Sequence, residues 1–216
     1  MAVPTPNVQE RAVQIPAGRA RLDGDLAIPD NPAGIVLFAH GSGSSRFSSR
    51  NRFVAQSLRD SGLGTLLIDL LTPREEAIDE RTRHLRFDID LLARRLTDAT
   101  VWLGNRLPVG LFGASTGGGA ALVAAAQLPD RIKAVVSRGG RPDLAGPALP
   151  NVKAPTLLIV GGNDEPVIEL NQEAYERMTA VRRLEIVPGA THLFEEPGTL
   201  EKVARLARDW FVRYLK

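Results

Sequence analysis

Two hydrophobic patterns alternate along the chain. Short continuous apolar runs occupy residues 34–39, 64–70, 109–112, 132–136, 156–160 and 183–187. Between and after them, residues 51–60, 87–105, 118–128, 168–178 and 200–215 have helical length and composition. Runs apolar at every position suit strands buried on both faces, and helix-length spacers allow right-handed crossovers between parallel neighbours. Ahead of this series, residues 8–15 and 20–28 flank Pro16-Ala17-Gly18 and predict an antiparallel hairpin. The predicted class is α/β: a mostly parallel central sheet with an N-terminal hairpin and helices on both faces. Residues 71–86 and 138–152 read as irregular loops following strands, too short for a large cap, so a shallow, open cleft is expected.

No repeat, low-complexity run or Ser/Gly/Pro-rich linker divides the 216 residues, and a single domain spanning 1–216 is expected. Composition changes the picture little: 44% hydrophobic and 24% charged residues are ordinary for a globular domain. No apolar run approaches a membrane span, and Met1 to Glu10 lack the pattern of a secretory signal, which makes cytoplasmic residence the expectation. The net charge of +2 comes from arginines scattered among acids, with no basic stripe for nucleic acid. The absence of cysteine matters more, because it removes disulfides, thiolate metal sites and a thiol nucleophile at once.

Chemistry enters at Gly113-Ala114-Ser115-Thr116-Gly117, between an apolar run and a small-residue helix. This spacing matches a nucleophile elbow, a sharp strand-to-helix turn that lifts a serine hydroxyl above the sheet edge and demands glycine where strand and helix nearly touch. Nine serines and 20 glycines in 216 residues give about 0.08 accidental matches, so the motif alone is moderate in specificity. A glycine-rich packing turn without chemistry is the competing reading.

The remaining residues sharpen it. Serine nucleophiles need a base and a group to orient that base, in the chain order serine, acid, histidine on this kind of sheet. Of His40, His84 and His192, only His192 follows Ser115, and it lies in a loop just past the last apolar run. Asp164, after the run at 156–160, is the candidate acid, while the adjacent Glu165 is assigned to the start of the next helix. The Thr116 N–H is one oxyanion donor and the Ser42 N–H, or that of neighbouring Gly43, the second. His40 is expected to fix the Gly41–Ser45 loop and His84 to be solvated. Arg138 is the candidate substrate-binding cation among Arg46, Arg50, Arg52 and Arg138, most of which are expected to meet nearby acids. Trp210, Phe211 and Tyr214 on the last helix read as packing against the sheet.

Gly41-Ser42-Gly43-Ser44-Ser45-Arg46, followed by a helix and a strand ending at Asp69, approaches a dinucleotide-binding fingerprint. Arg46 stands where its third glycine belongs, and the match leaves Ser115 and His192 unexplained. No lysine-serine or lysine-threonine pair follows a glycine-rich loop, so a phosphate-binding P-loop is not indicated.

From His40-Gly41-Ser42-Gly43 through Gly113-Ala114-Ser115-Thr116-Gly117 and Asp164 to His192, the chain resembles the α/β-hydrolase superfamily, most closely its small, capless dienelactone-hydrolase-like branch, here with a serine nucleophile. The resemblance implies a Ser115, Asp164 and His192 triad, a covalent acyl-enzyme, no cofactor or metal, and cleavage of esters or related acyl bonds in a small-molecule substrate. Dienelactone hydrolases proper use cysteine, so lactone specificity is not carried over. Ser137-Arg138-Gly139-Gly140-Arg141-Pro142-Asp143 resembles a bacterial group of hydrolases sometimes joined to a phosphoribosyltransferase domain, which these 216 residues do not contain. The expected function is carboxylesterase-like, with thioesterase or lactonase chemistry as alternatives on the same residues. A non-catalytic binding protein on this fold is the reading from another class, and it predicts a damaged triad.

Overall fold

Eight strands form one sheet in the order β1-β2-β4-β3-β5-β6-β7-β8 in the computed structural model, which describes residues 7–215. The hairpin strands β1 (Val8–Ala17) and β2 (Ala20–Pro29) are antiparallel, and β2 joins β4 (Gly64–Ile68) antiparallel as well. From β4 onward, β3 (Ile35–Ala39), β5 (Val109–Ala114), β6 (Ile132–Arg138), β7 (Thr156–Gly161) and β8 (Arg182–Val187) pair in parallel. The α/β class and the hairpin are as expected.

Alternation along β3 shows why its run is apolar at every position. Ile35, Leu37 and Ala39 enter one core and Val36 and Phe38 the other. The helices α3 (Ile89–Trp102), α4 (Thr116–Gln127) and α5 (Glu165–Arg177) contribute to the first core, α1 (Ser49–Arg59) and α6 (Thr199–Tyr214) to the second. On α6, Trp210 and Phe211 are buried against the sheet, and the Phe211 ring fills the space above Gly110. No helix among the described residues is long and apolar enough to cross a membrane.

Two expectations need correction. Residues 71–86 are not irregular: α2 (Pro73–Thr82) occupies most of them. Only Asp79 of this helix is buried, so it carries no hydrophobic stripe to read. Its start is written instead in a capping box, where the Thr72 side chain accepts from Glu75 N–H, the Glu75 carboxylate accepts from Thr72 N–H, and Pro73 sits in the first turn. Residues 138–152 likewise contain short 3-10 turns within Pro142–Asn151, interrupted at Gly146. Helix α5 begins at Glu165, as assigned, with Pro166 in its first turn, ahead of the helical run read at 168–178.

Candidate active site

The ends of β3, β5, β6, β7 and β8 bring the candidate residues to one edge of the sheet. Ser115 is the turn between β5 and α4, and its backbone has φ 50° and ψ −121°, a conformation that a non-glycine residue adopts only under constraint. The constraint comes from neighbours. A Cβ on Gly117 would lie 2.6 Å from the His40 carbonyl oxygen, and one on Gly113 would lie 2.6 Å from Gly118 Cα. Backbone hydrogen bonds then fix the turn: Ser115 N–H donates to Arg138 O at 3.3 Å, while Gly118 N–H and Arg141 N–H donate to Ser115 O at 2.9 and 3.0 Å.

Asp164 immediately precedes α5 without bonding its side chain to the helix N-terminus, and its Oδ2 lies 2.6 Å from Nδ1 of His192. The carboxylate is mostly enclosed, at 14% exposure, whereas the imidazole is 38% exposed. With Nδ1 committed to Asp164, Nε2 is the nitrogen left for proton transfer. No hydrogen bond joins Ser115 Oγ to His192 among the described residues; such contacts commonly tighten only when substrate is bound.

The two loops assigned to oxyanion binding also meet. Ser42 Oγ and Thr116 Oγ1 are 3.1 Å apart, and Thr116 is the first residue of α4, where a backbone N–H has no intrahelical acceptor. The helix N-terminus adds a favourable field for negative charge. Gly43, the alternative donor, has φ 66° in the same loop. Beyond it opens a cleft of about 500 Å³ whose lining includes His40, Ser45, Phe47, Leu71 and the acids Asp69 and Glu76.

His40 lies beneath this loop and is buried. Its Nε2 accepts from Leu70 N–H at 3.0 Å, so the proton resides on Nδ1, which donates to Gly41 O at 2.9 Å. Burial holds its pKa below the ordinary value, and the Gly41 hydrogen bond and the charges of Asp69 and Glu76 offset that only in part. His84 is exposed.

The arginines divide as charge pairing dictates. Arg46 N–H donates to Asp69 Oδ1 at 2.7 Å and its guanidinium pairs with the same carboxylate, so the acid that a dinucleotide-binding reading needs for a ribose is already engaged. Arg52 meets Asp25 at 3.2 Å and Arg50 meets Glu195 at 3.2 Å. Arg138, only 5% exposed, has no carboxylate partner among the described residues. Its Nη2 donates to Asn51 Oδ1 at 3.3 Å and its guanidinium lies 5.8 Å from the centre of the Phe194 ring. Burial and the nearby charge of Arg50 bring its pKa down to about 10, which leaves it protonated at neutral pH.

Three contributors escaped the sequence reading. Glu196 accepts from Thr191 N–H at 3.0 Å and Thr191 Oγ1 at 2.6 Å, which ties down the loop carrying His192. Phe194, with φ 57°, turns its ring into the core beside that histidine. Asn51 reaches Arg138 from α1. An aromatic residue inside the stretch Thr191-His192-Leu193-Phe194-Glu195-Glu196 was the available signal for Phe194; Glu196 and Asn51 had none. No three His, Asp or Glu side chains converge as metal ligands among the described residues.

The profile of the Dienelactone hydrolase family matches residues 22–215. A crystal structure of a dienelactone hydrolase from Anabaena variabilis is 64% identical, covers 97% of this chain and 99% of its own, and superposes with a TM-score of 0.95. Est1E from Butyrivibrio proteoclasticus, at 17% identity, covers 94% of this chain and 98% of its own with a TM-score of 0.78, a likeness of fold alone. A Mycobacterium tuberculosis protein named "Putative phosphoribosyl transferase" is 58% identical over 99% of this chain but only 48% of its own length. The chain thus spans about half the length of the curated relatives it matches. With the sheet order, the elbow and a profile match over nearly its whole length, the chain belongs to the dienelactone hydrolase family.

Proposed function

We propose that residues 1–216 act as one α/β-hydrolase domain, a serine hydrolase that cleaves carboxylic esters through an acyl-enzyme. The observation that carries this reading is the 2.6 Å contact between His192 Nδ1 and Asp164 Oδ2 at the sheet edge that also holds the strained Ser115. Family membership supports hydrolytic chemistry, and the 64% identical relative is itself named a dienelactone hydrolase.

Ser115 Oγ attacks the acyl carbonyl carbon as His192 Nε2 takes the hydroxyl proton, and Asp164 stabilises the imidazolium. The Thr116 and Ser42 N–H groups receive the oxyanion. His192 then returns the proton to the leaving oxygen, which departs and leaves Ser115 acylated. Water, deprotonated by the same imidazole, attacks the acyl-enzyme and releases the acid. Thioesters and lactones present the same carbonyl and form the neighbouring substrate classes.

Treatment of folded protein with an organofluorophosphonate probe, followed by peptide mapping, should place the adduct on Ser115. Ser115→Ala should lose 4-nitrophenyl ester turnover by several orders of magnitude. Wild-type kcat in that variant, or no adduct on Ser115, would refute the reading. A series of acyl chain lengths beside thioester and lactone panels then identifies the preferred acyl bond.

A further inference from the structure

Arg138 presents an unusual electrostatic arrangement beside the candidate site. A guanidinium removed from water is ordinarily paired, because an unpaired buried charge is costly. Arg138 is 5% exposed, its Nε has no hydrogen-bond partner, and Nη2 has only the 3.3 Å contact to the neutral Asn51 amide. A second cation, Arg50, lies close enough to act on it, and adds repulsion where attraction is needed. The acid in reach of Arg50, Glu195, is 63% exposed, and so open a pair contributes little.

The location adds meaning. Arg138 ends β6, and its carbonyl accepts the Ser115 N–H. By strand alternation it shares a face with Ala134 and Val136, which pack in the core beneath α1 and α6. The next residue, Gly139, backs onto the His192 carbonyl and ring, and Phe194 of the His192 loop packs against the guanidinium. The unpaired charge is therefore built into the walls that hold both Ser115 and His192.

We propose that Arg138 and Arg50 form an anion subsite that recognises a phosphate-type dianionic group carried by the ester substrate. This rests on the hydrolase reading and names its substrate class. Arg138 has no acid and Arg50 has only the solvent-exposed Glu195, which leaves positive charge in excess, and when Glu195 turns outward the Arg50 fork is free beside the unbonded Nε of Arg138. A phosphate monoester or phosphonate matches two cations in charge and offers three oxygens to bridge them. A carboxylate neutralises one.

The test has a binding arm and a kinetic arm. In Ser115→Ala protein, which needs no turnover, calorimetry should show inorganic phosphate and methyl phosphonate binding about tenfold or more tightly than glutarate, and Arg138→Met or Arg50→Met added to that background should remove the difference. In active protein, kcat/KM should fall in the order phenyl 3-phosphonopropanoate, phenyl hemisuccinate, phenyl pentanoate, with at least about tenfold between first and last. Each arginine variant should collapse that ratio towards one, a readout insensitive to any general loss of activity. The half-exposed Arg50 serves if Arg138→Met fails to fold. Equal binding of phosphate and glutarate, a preference for the hemisuccinate, or a ratio that survives both substitutions overturns the proposal. Failure to turn over any of the three esters while phosphate still binds the Ser115→Ala protein overturns the hydrolase reading instead.

Discussion

The hydroxyls of Ser42 and Thr116 stand 3.1 Å apart across 74 residues of chain, joining the loop after β3 to the first turn of α4. Each residue also carries a backbone N–H proposed above to receive the oxyanion, and on that proposal the contact would hold the two donors in register. A neutral hydrogen bond of this kind contributes about 1 kcal/mol, or roughly fivefold in rate. Ser42→Ala and Thr116→Val should each lower kcat on a 4-nitrophenyl ester by about fivefold with KM little changed. Because both remove the same bond, the double variant should be no slower than either single one; additive losses in steady-state kinetics would show that the hydroxyls act separately.

Asp164 offers a cleaner separation of charge from shape. Asp164→Asn preserves volume but presents an amide to Nδ1, so the imidazolium formed during attack is no longer stabilised. The expected loss in kcat is about three to four orders of magnitude with the far-ultraviolet circular dichroism unchanged. A loss below tenfold would mean that another group orients His192.

His40 gives the fold a dependence on pH. Its folded pKa is held below the unfolded value near 6.5, chiefly by burial, and its Nε2 lone pair is occupied by Leu70 N–H. Below about pH 6.5 the unfolded chain binds a proton that the folded protein excludes, so stability falls as pH drops from there towards the folded pKa. Thermal unfolding scans from pH 8 to 5 should show this decline. His40→Gln should flatten it, whatever its effect on stability at pH 8.

Gly117→Ala tests the elbow itself. The added methyl would lie 2.6 Å from the His40 carbonyl oxygen, and backbone cannot swing aside as a side chain can. A destabilisation of about 1–3 kcal/mol is expected, seen as a fall in Tm of at least about 2–4 °C per kcal/mol, together with loss of ester turnover. Retention of both would show that strand and helix can separate without moving Ser115.

Legibility in the sequence followed the physical origin of each signal. Strands such as β3 and β5 were readable because both faces are buried, which forces an unbroken apolar run. Helix α2 was missed on hydrophobic grounds because it buries only Asp79, whose ionisation burial opposes but whose hydrogen bonds from Arg86 and Leu85 N–H keep its pKa low. The Thr72-to-Glu75 capping box was the signal in its place. At the site, Ser115, Asp164 and His192 were singled out by residue type and order along the chain. Glu196 and Asn51 are ordinary polar residues locally, and their contacts with Thr191 and Arg138 arise only on folding.

Local chemistry by itself determined the alternating strands and helices, the hairpin, and a serine flanked by glycines, since each follows from side-chain volume, polarity and the backbone freedom of nearby residues. It also determined that none of these 216 residues offers a thiol. Tertiary structure decided the rest: which side of the imidazole meets a carboxylate, which two loops join at Ser42 and Thr116, and which arginine is left without an acid. Arg46, Arg50, Arg52 and Arg138 are the same residue type in sequence, and their difference lies in burial and in the acids that other elements bring to them. Charge pairing depends on distances through space, and those exist only once the sheet has ordered its strands.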